Sequence, residues 1–406
     1  MFSAIQRRRL ALYVLFFLPG VQFSSWITRT PAIRDRLDAS TAEMGLVIFG
    51  LSLGAMIGIL SSAPLVLKFG TRPVVGAGMA SVTLSIAVVA LGAALASPLL
   101  VSVGLAFGGL GMGALDVAMN VEAADVEQRI GRPFLTGMHG CFSLGTVVGA
   151  LAGIALSAIA FPVPWHLMAV FVLSVPPLLL AMRQVAPGLG RRVVLTELER
   201  SRAGPVPRSW RDPRLAIIGV VVLAMALAEG AANDWLPLLM VDGHGFGATA
   251  GSLVFAGFAS AMTVGRFFGG PVIARYGRAA VARGSAVSGA LGIALVIFGE
   301  GPVVVGAAVA LWGLGASLGF PVALSAAGET ARPGESPAAR VGVVATAGYV
   351  AFLVGPPLLG FLGDSFGLRS AMIVVLALMG VAAILAPALG SGRVVAREPA
   401  PCGNAG

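Results

Sequence analysis

The chain has 406 residues; 57% are hydrophobic, only 11% are charged, and the formal net charge is +9. A soluble domain carries about 25% charged residues, so a water-covered globule of this size is excluded. The mean hydropathy of +0.93 fits a chain whose outer surface meets lipid.

Twelve apolar stretches follow one another, each long enough for a helix of about 20 residues across a bilayer. They are continuous rather than alternating, which excludes a β-barrel. The first, 10–28, follows Arg7, Arg8 and Arg9 and contains Pro19. No small-residue cleavage site comes after it, so it reads as a retained anchor and not a signal peptide. The second, 44–67, is opened by the capping box Ser40-Thr41-Ala42-Glu43. Stretches at 74–95, 98–121, 134–158 and 164–182 complete a six-helix half over 1–182. Residues 183–214 are basic and broken by Gly and Pro, and read as a cytoplasmic linker. Within it, 193–200 is expected to form an amphipathic turn or helix on the membrane surface. Stretches at 215–241, 249–274, 279–299, 302–327, 341–362 and 370–389 form a second six-helix half over 215–389, and 390–406 is a tail. Cys141 and Cys402 suggest neither a disulfide nor a metal site.

Charge placement sets the topology. With the N-terminus inside, the gaps on that side hold 22 of the 27 Lys and Arg, eight of them between 183 and 214. The opposite side holds Arg29, Arg34, Arg36 and Arg369, and Arg266 lies within a stretch. This is the positive-inside pattern, which puts both termini in the cytoplasm of a bacterial cell, with the chain in the inner membrane. The basic excess is thus a topology signal with contact to anionic lipid, and no nucleic-acid partner is expected.

The two halves also resemble each other. At a shift of 207 residues, Gly50 meets Gly257, Gly58 meets Gly265, Pro64 meets Pro271, Lys68 meets Arg275 and Gly70 meets Gly277. At a shift of 204, Gly109-Leu110-Gly111 meets Gly313-Leu314-Gly315. Small residues at such spacings let helices approach closely in lipid, and a parallel repeat of six helices is the plan of the major facilitator fold.

The chain resembles a major facilitator superfamily transporter over nearly its full length. Lys68-Phe69-Gly70-Thr71-Arg72 and Arg275-Tyr276-Gly277-Arg278 are similar to the superfamily's signature loop, so Lys68, Gly70, Arg72, Arg275, Gly277 and Arg278 are assigned to gating loops. Leu67 and Ala274 stand where the superfamily has an Asp that helps latch the halves together, so that acid is missing twice. Leu115-Asp116-Val117-Ala118-Met119-Asn120 resembles the fucose-permease pattern, in which the acid carries the coupled proton. Trp26-Ile27-Thr28-Arg29-Thr30-Pro31 and Glu229-Gly230-Ala231-Ala232-Asn233-Asp234-Trp235 look like the MosC-like group of bacterial transporters.

Ionisable side chains are costly in lipid, so those within the stretches mark functional sites. Asp116 and Asn120, four residues apart, share one helix face. A carboxyl screened from bulk water suits proton transfer, with a permanent pair to an Arg, a His or a helix end as the structural alternative. His139 enters at a similar depth and is a candidate to share the proton; the alternative is a packing histidine. Glu229 and Asn233 share a face in the seventh stretch, and Glu229 is a candidate for coupling or solute binding. Its alternative is an ion pair with Arg266, for which a structural role is expected. Gln22, Trp26, Asn233, Trp235 and Tyr349, with Asn120, offer the amides and rings that bind sugars and polyols, although Trp at a helix end also anchors at the interface. Asp242-Gly243-His244-Gly245 reads as a surface loop.

The sequence therefore predicts an all-α membrane protein that moves a small solute by alternating access, coupled to protons and working as a monomer. Symport of a sugar-like or polyol solute is the first expectation, antiport of a drug or metabolite the second, and a non-transporting sensor the third. No Gly-x-x-x-x-Gly-Lys-Ser/Thr loop is present and no nucleophile–base set occurs in the stretches, so neither an ATP-driven pump nor an enzyme is expected. No cofactor or metal is expected.

Overall fold

A computed structural model of the chain describes residues 4–131, 134–187, 189–190, 212–331 and 337–390. These form thirteen α-helices, twelve of them long and apolar enough to cross a membrane. In chain order they are α1 (Ala4–Ile27), α2 (Thr30–Leu37), α3 (Thr41–Phe69), α4 (Thr71–Ala94), α5 (Pro98–Ile130), α6 (Leu135–Ala158) and α7 (Val163–Met182). The second half holds α8 (Pro213–Leu238), α9 (Ala248–Tyr276), α10 (Arg278–Phe298), α11 (Pro302–Glu329), α12 (Pro337–Phe366) and α13 (Leu368–Leu385). The face holding the start of α1 and the end of α7 is called the basic face here, and its opposite the far face. The expected segment at 193–200, the tail and Cys402 lie outside the described residues.

Local chemistry explains most helix ends. The Ser40 hydroxyl accepts the Glu43 N–H at 3.2 Å while the Ser40 N–H donates to the Glu43 carboxylate at 2.8 Å, a reciprocal cap for α3. Gly70 and Gly277, at φ 84° and 78°, end α3 and α9 in the left-handed region that only glycine enters without strain. Asp212 caps α8 by accepting N–H groups of Arg214 and Leu215 at 3.0 and 3.4 Å, and also pairs with Arg340 of α12.

That cap predicts an acid-sensitive joint. Burial works to raise the Asp212 carboxyl, but the Arg340 guanidinium and the backbone N–H groups outweigh it and hold the group below its ordinary value. A depressed carboxylate adds stability above the unfolded pKa of about 4 and loses it as pH falls through the folded value. Thermal melts of the purified protein from pH 5 to pH 3 should therefore lose stability more steeply for the wild type than for Asp212→Asn. Equal slopes would remove Asp212 from the acid response.

Helix boundaries depart from the apolar stretches where charges are paired. The fourth stretch stops at 121, but α5 runs on to Ile130 because its charges are matched. Arg8 Nη2 and Nε donate to Glu122 at 2.5 and 3.2 Å. Asp125 takes Arg8 Nη1 at 2.5 Å and Arg129 Nε at 2.9 Å. The same Arg8 draws the start of α1 into the bundle. The short polar helix α2 had no apolar period to announce it.

The glycines pack α3 against α5. A Cβ on Gly54 would strike the Ala106 carbonyl, and one on Gly109 the Leu51 carbonyl. Gly257, the repeat mate of Gly50, faces open space instead, so the sequence repeat is not a contact repeat there. The halves meet mainly where α3 lies along α12 and α6 along α9.

At the far face the bonds cross between halves. Arg34 of α2 pairs with Asp242, Ser252 Oγ donates to the Thr28 carbonyl at 2.7 Å, and the Ala42 N–H reaches Asp364 at 3.4 Å. A Cβ on Gly45 would lie 3.0 Å from the Gly360 Cα. At the basic face the ion pairs of Arg8, Arg278 and Arg340 each stay within one half. Among the described residues, the bonds that join the halves thus lie at the far face.

Candidate functional site

α1, α5 and α6 enclose a cavity of about 200 Å³ in the first half. Leu15, Phe16, Pro19, Met112, Leu115, Met119 and Phe142 make its apolar wall, and Asp116, Asn120 and His139 its polar corner. The four-residue spacing on α5 stacks Asn120 one turn below Asp116, and the Asn120 amide donates to the Asp116 carbonyl at 2.6 Å and more distantly to its carboxylate at 3.5 Å. His139 Nε2 sits 3.3 Å from Asn120 Oδ1, and Phe16 meets the imidazole edge-on at 5.2 Å. His139 therefore reaches Asp116 through the amide rather than directly. Asp116 lies deep in the bundle and yet is solvent-accessible, because the cavity leads to it. Among the described residues no basic side chain bonds to its carboxylate.

The second half holds a separate polar pair. Arg266 Nη2 donates to Glu229 at 2.8 Å and Nε to the Ser317 carbonyl at 3.5 Å. The Glu229 side chain is 15% exposed and that of Arg266 47%, so the pair is partly exposed. Tyr349 is half-buried on α12. Asp116, Asn120 and His139 belong to the first half, and Glu229, Arg266 and Tyr349 to the second.

The other proposed solute ligands are placed elsewhere. Gln22 is fully buried and donates to Thr83 at 3.1 Å. Trp26 and Trp235 are at most 2% exposed. The sequence offers these three as solute ligands, with an interface anchor as the alternative for the two Trp residues; in this conformation all three side chains are buried. Both indole N–H groups lack a partner. Asn233 is half-buried on α8, and so is the neighbouring Asp234, which makes no hydrogen bond or ion pair among the described residues. Asp242 and His244 are occupied by Arg34 and by the Val296 carbonyl at 2.9 Å. Phe16, Met112, Met119 and Phe142 belong to the cavity, and nothing in an apolar run distinguishes a cavity lining from a packed core.

The gating loops hold the largest surprise. Lys68 and Arg275 lie over the rings of Phe69 and Tyr276 at 5.1 and 5.3 Å. An acid from another helix meets the helix start after each loop, within the same half. Glu122, fully buried, accepts the Thr71 hydroxyl at the start of α4. Glu329 pairs with Arg278 at the start of α10. Both residue pairs are related by the same shift of 207 found between the loops.

A twelve-span helical bundle built of two six-helix pseudo-repeats defines the major facilitator architecture. The chain belongs to the Major Facilitator Superfamily, whose profile matches residues 11–339 and 237–401. An uncharacterized MFS-type transporter of Yersinia pestis is 31% identical over 91% of this chain and 92% of that relative. The membrane protein MosC of Rhizobium meliloti is 26% identical over 89% of this chain and 85% of its own length. Among solved structures, the nucleoside transporter NupG superposes with a TM-score of 0.69 at 17% identity, covering 94% of this chain and 98% of its own. A D-xylose-proton symporter gives 0.72 at 13% identity, covering 95% and 97%. At those identities the likeness is one of fold.

Proposed function

We propose that the chain is a proton-coupled secondary transporter that moves a small solute by alternating access. The observation that carries this reading is Asp116: a carboxylate deep in the bundle, free of any basic partner at bonding distance and reachable through a cavity. A charge in that position opposes closure around it, and protonation removes the opposition, so proton and solute bias the same rearrangement. Glu229 differs, since Arg266 already occupies one of its oxygens. The arginine distribution supports placing the basic face in the cytoplasm of a bacterial inner membrane.

The solute reading follows from the cavity chemistry. Asp116, Asn120 and His139 offer hydrogen bonds on one side, and Phe16 and Phe142 an apolar face on the other. That combination suits a sugar-like or polyol solute taken up with a proton. The apolar share of the wall supports a second reading, export of an amphipathic cation that displaces the proton from Asp116. Proteoliposomes loaded with a pH-sensitive dye separate the two. Solute added outside should acidify the lumen in symport and alkalinise it in antiport. A panel of sugars, polyols and amphipathic cations that all leave the lumen pH unchanged would overturn proton coupling.

A further inference from the structure

At the basic ends of α4 and α7 a groove of about 560 Å³ opens on the outer side of the first half. Arg72 and Arg183 stand at its mouth, and Gly76, Ala77, Leu179 and Met182 line it. Neither guanidinium makes a hydrogen bond or an ion pair among the described residues. The apolar span of α4 begins at Thr71 and that of α7 ends at Met182, so both cations sit at the boundary where headgroups lie. Below them the groove turns apolar, and Leu179 is 59% exposed toward lipid.

The fold does not require this feature. At the shift of 207 the counterparts of Arg72 and Arg183 are Ala279 and Gly390. There the segment after α13 packs down: a Cβ on Gly390 would lie 3.5 Å from the Ala279 Cβ. Arg214 fastens that segment by donating to the carbonyls of Ala388 and Gly390. One half thus has a filled corner whose guanidinium, Arg214, is bonded to backbone carbonyls, and the other a groove whose two guanidiniums have no partner among the described residues.

We propose that this groove is a binding site for an anionic phospholipid, with the headgroup phosphate held between Arg72 and Arg183 and an acyl chain laid along Leu179, Ala77 and Gly76. Guanidinium groups present paired donors that match phosphate oxygens. Basic pockets between spans at a membrane face bind such headgroups. Gly76 keeps the floor open, since a Cβ there would meet the Met182 methyl at 3.2 Å.

The test is lipid retention by the full chain, read by native mass spectrometry after exchange into detergent with equal phosphatidylglycerol and phosphatidylcholine. The wild type should retain phosphatidylglycerol with a preference of about tenfold or more. Arg72→Gln with Arg183→Gln should abolish the preference, and Gly76→Leu should also abolish it by filling the groove with both charges intact. Arg275→Gln should leave it unchanged. Equal retention of the two lipids by the wild type would overturn the site. So would a preference that survives the double substitution, or one that survives Gly76→Leu, which would signify charge attraction without a groove. Displacement of phosphatidylglycerol by millimolar inorganic phosphate would also overturn it, by reducing the site to a simple anion pocket.

Discussion

Asp116→Asn should reduce proton-driven accumulation of solute to the level reached without a gradient. One proton moving through about 100 mV supplies roughly 2.3 kcal/mol, which corresponds to about a 50-fold concentration ratio. Without a proton carrier that ratio falls to one. The substitution keeps the size of the side chain and its place above Asn120, and it imitates the protonated state. Solute exchange down no gradient should therefore persist within a few-fold of wild type. The loss is thus predicted in coupling, with exchange retained, and a merely structural defect would remove both. His139→Gln should have a smaller effect, because the imidazole touches Asn120 and not the carboxylate. Accumulation by Asp116→Asn at the wild-type ratio would exclude Asp116 as the carrier and return attention to Glu229 and Asp234.

What the sequence made legible was whatever lipid forces into view. Twelve spans can be read because every backbone group in hydrocarbon must be satisfied within a helix, which demands long apolar runs. Asp116, Glu229 and Arg266 stood out because ionisable groups in such runs are rare. The Glu229–Arg266 pair was legible as one of two alternatives, because both residues lie at similar depth in neighbouring spans. That Asp116 has no basic partner among the described residues was not, since that depends on helix rotation. Trp26 and Trp235 illustrate the opposite failure. An indole at a helix end looks the same in sequence whether it stacks on a solute, anchors at an interface or shuts a gate. Here each buries an N–H without a partner, at a cost of about 1–3 kcal/mol.

Arg8→Met should be the most destabilising single change at the basic face. The Glu122 carboxylate is fully buried and takes three donors, two from Arg8 and one from Thr71. Removing the guanidinium leaves a buried charge with only a hydroxyl, and breaking such a pair costs about 3–5 kcal/mol. For a chain of this size that corresponds to a fall of about 4–6 °C in apparent Tm. Glu122→Gln should cost less, because Arg8 keeps Asp125. Arg8→Met combined with Glu122→Leu should recover most of the loss, since a buried pair exchanged for apolar side chains is often neutral. The counterpart pair Arg278–Glu329 is 32% and 49% exposed, so Glu329→Ala should cost at most about 1 kcal/mol. The two halves thus repeat the same acid-to-helix-start arrangement in geometry but differ in strength. The first ties α1, α4 and α5 into one rigid end, while the second leaves α10 and α11 joined by a solvent-screened contact. A thermal-shift series on the purified variants measures all of this at once. If Arg8→Met melted within about 1 °C of wild type, or the double variant melted no higher than Arg8→Met, the buried pair would not be what holds the first half together.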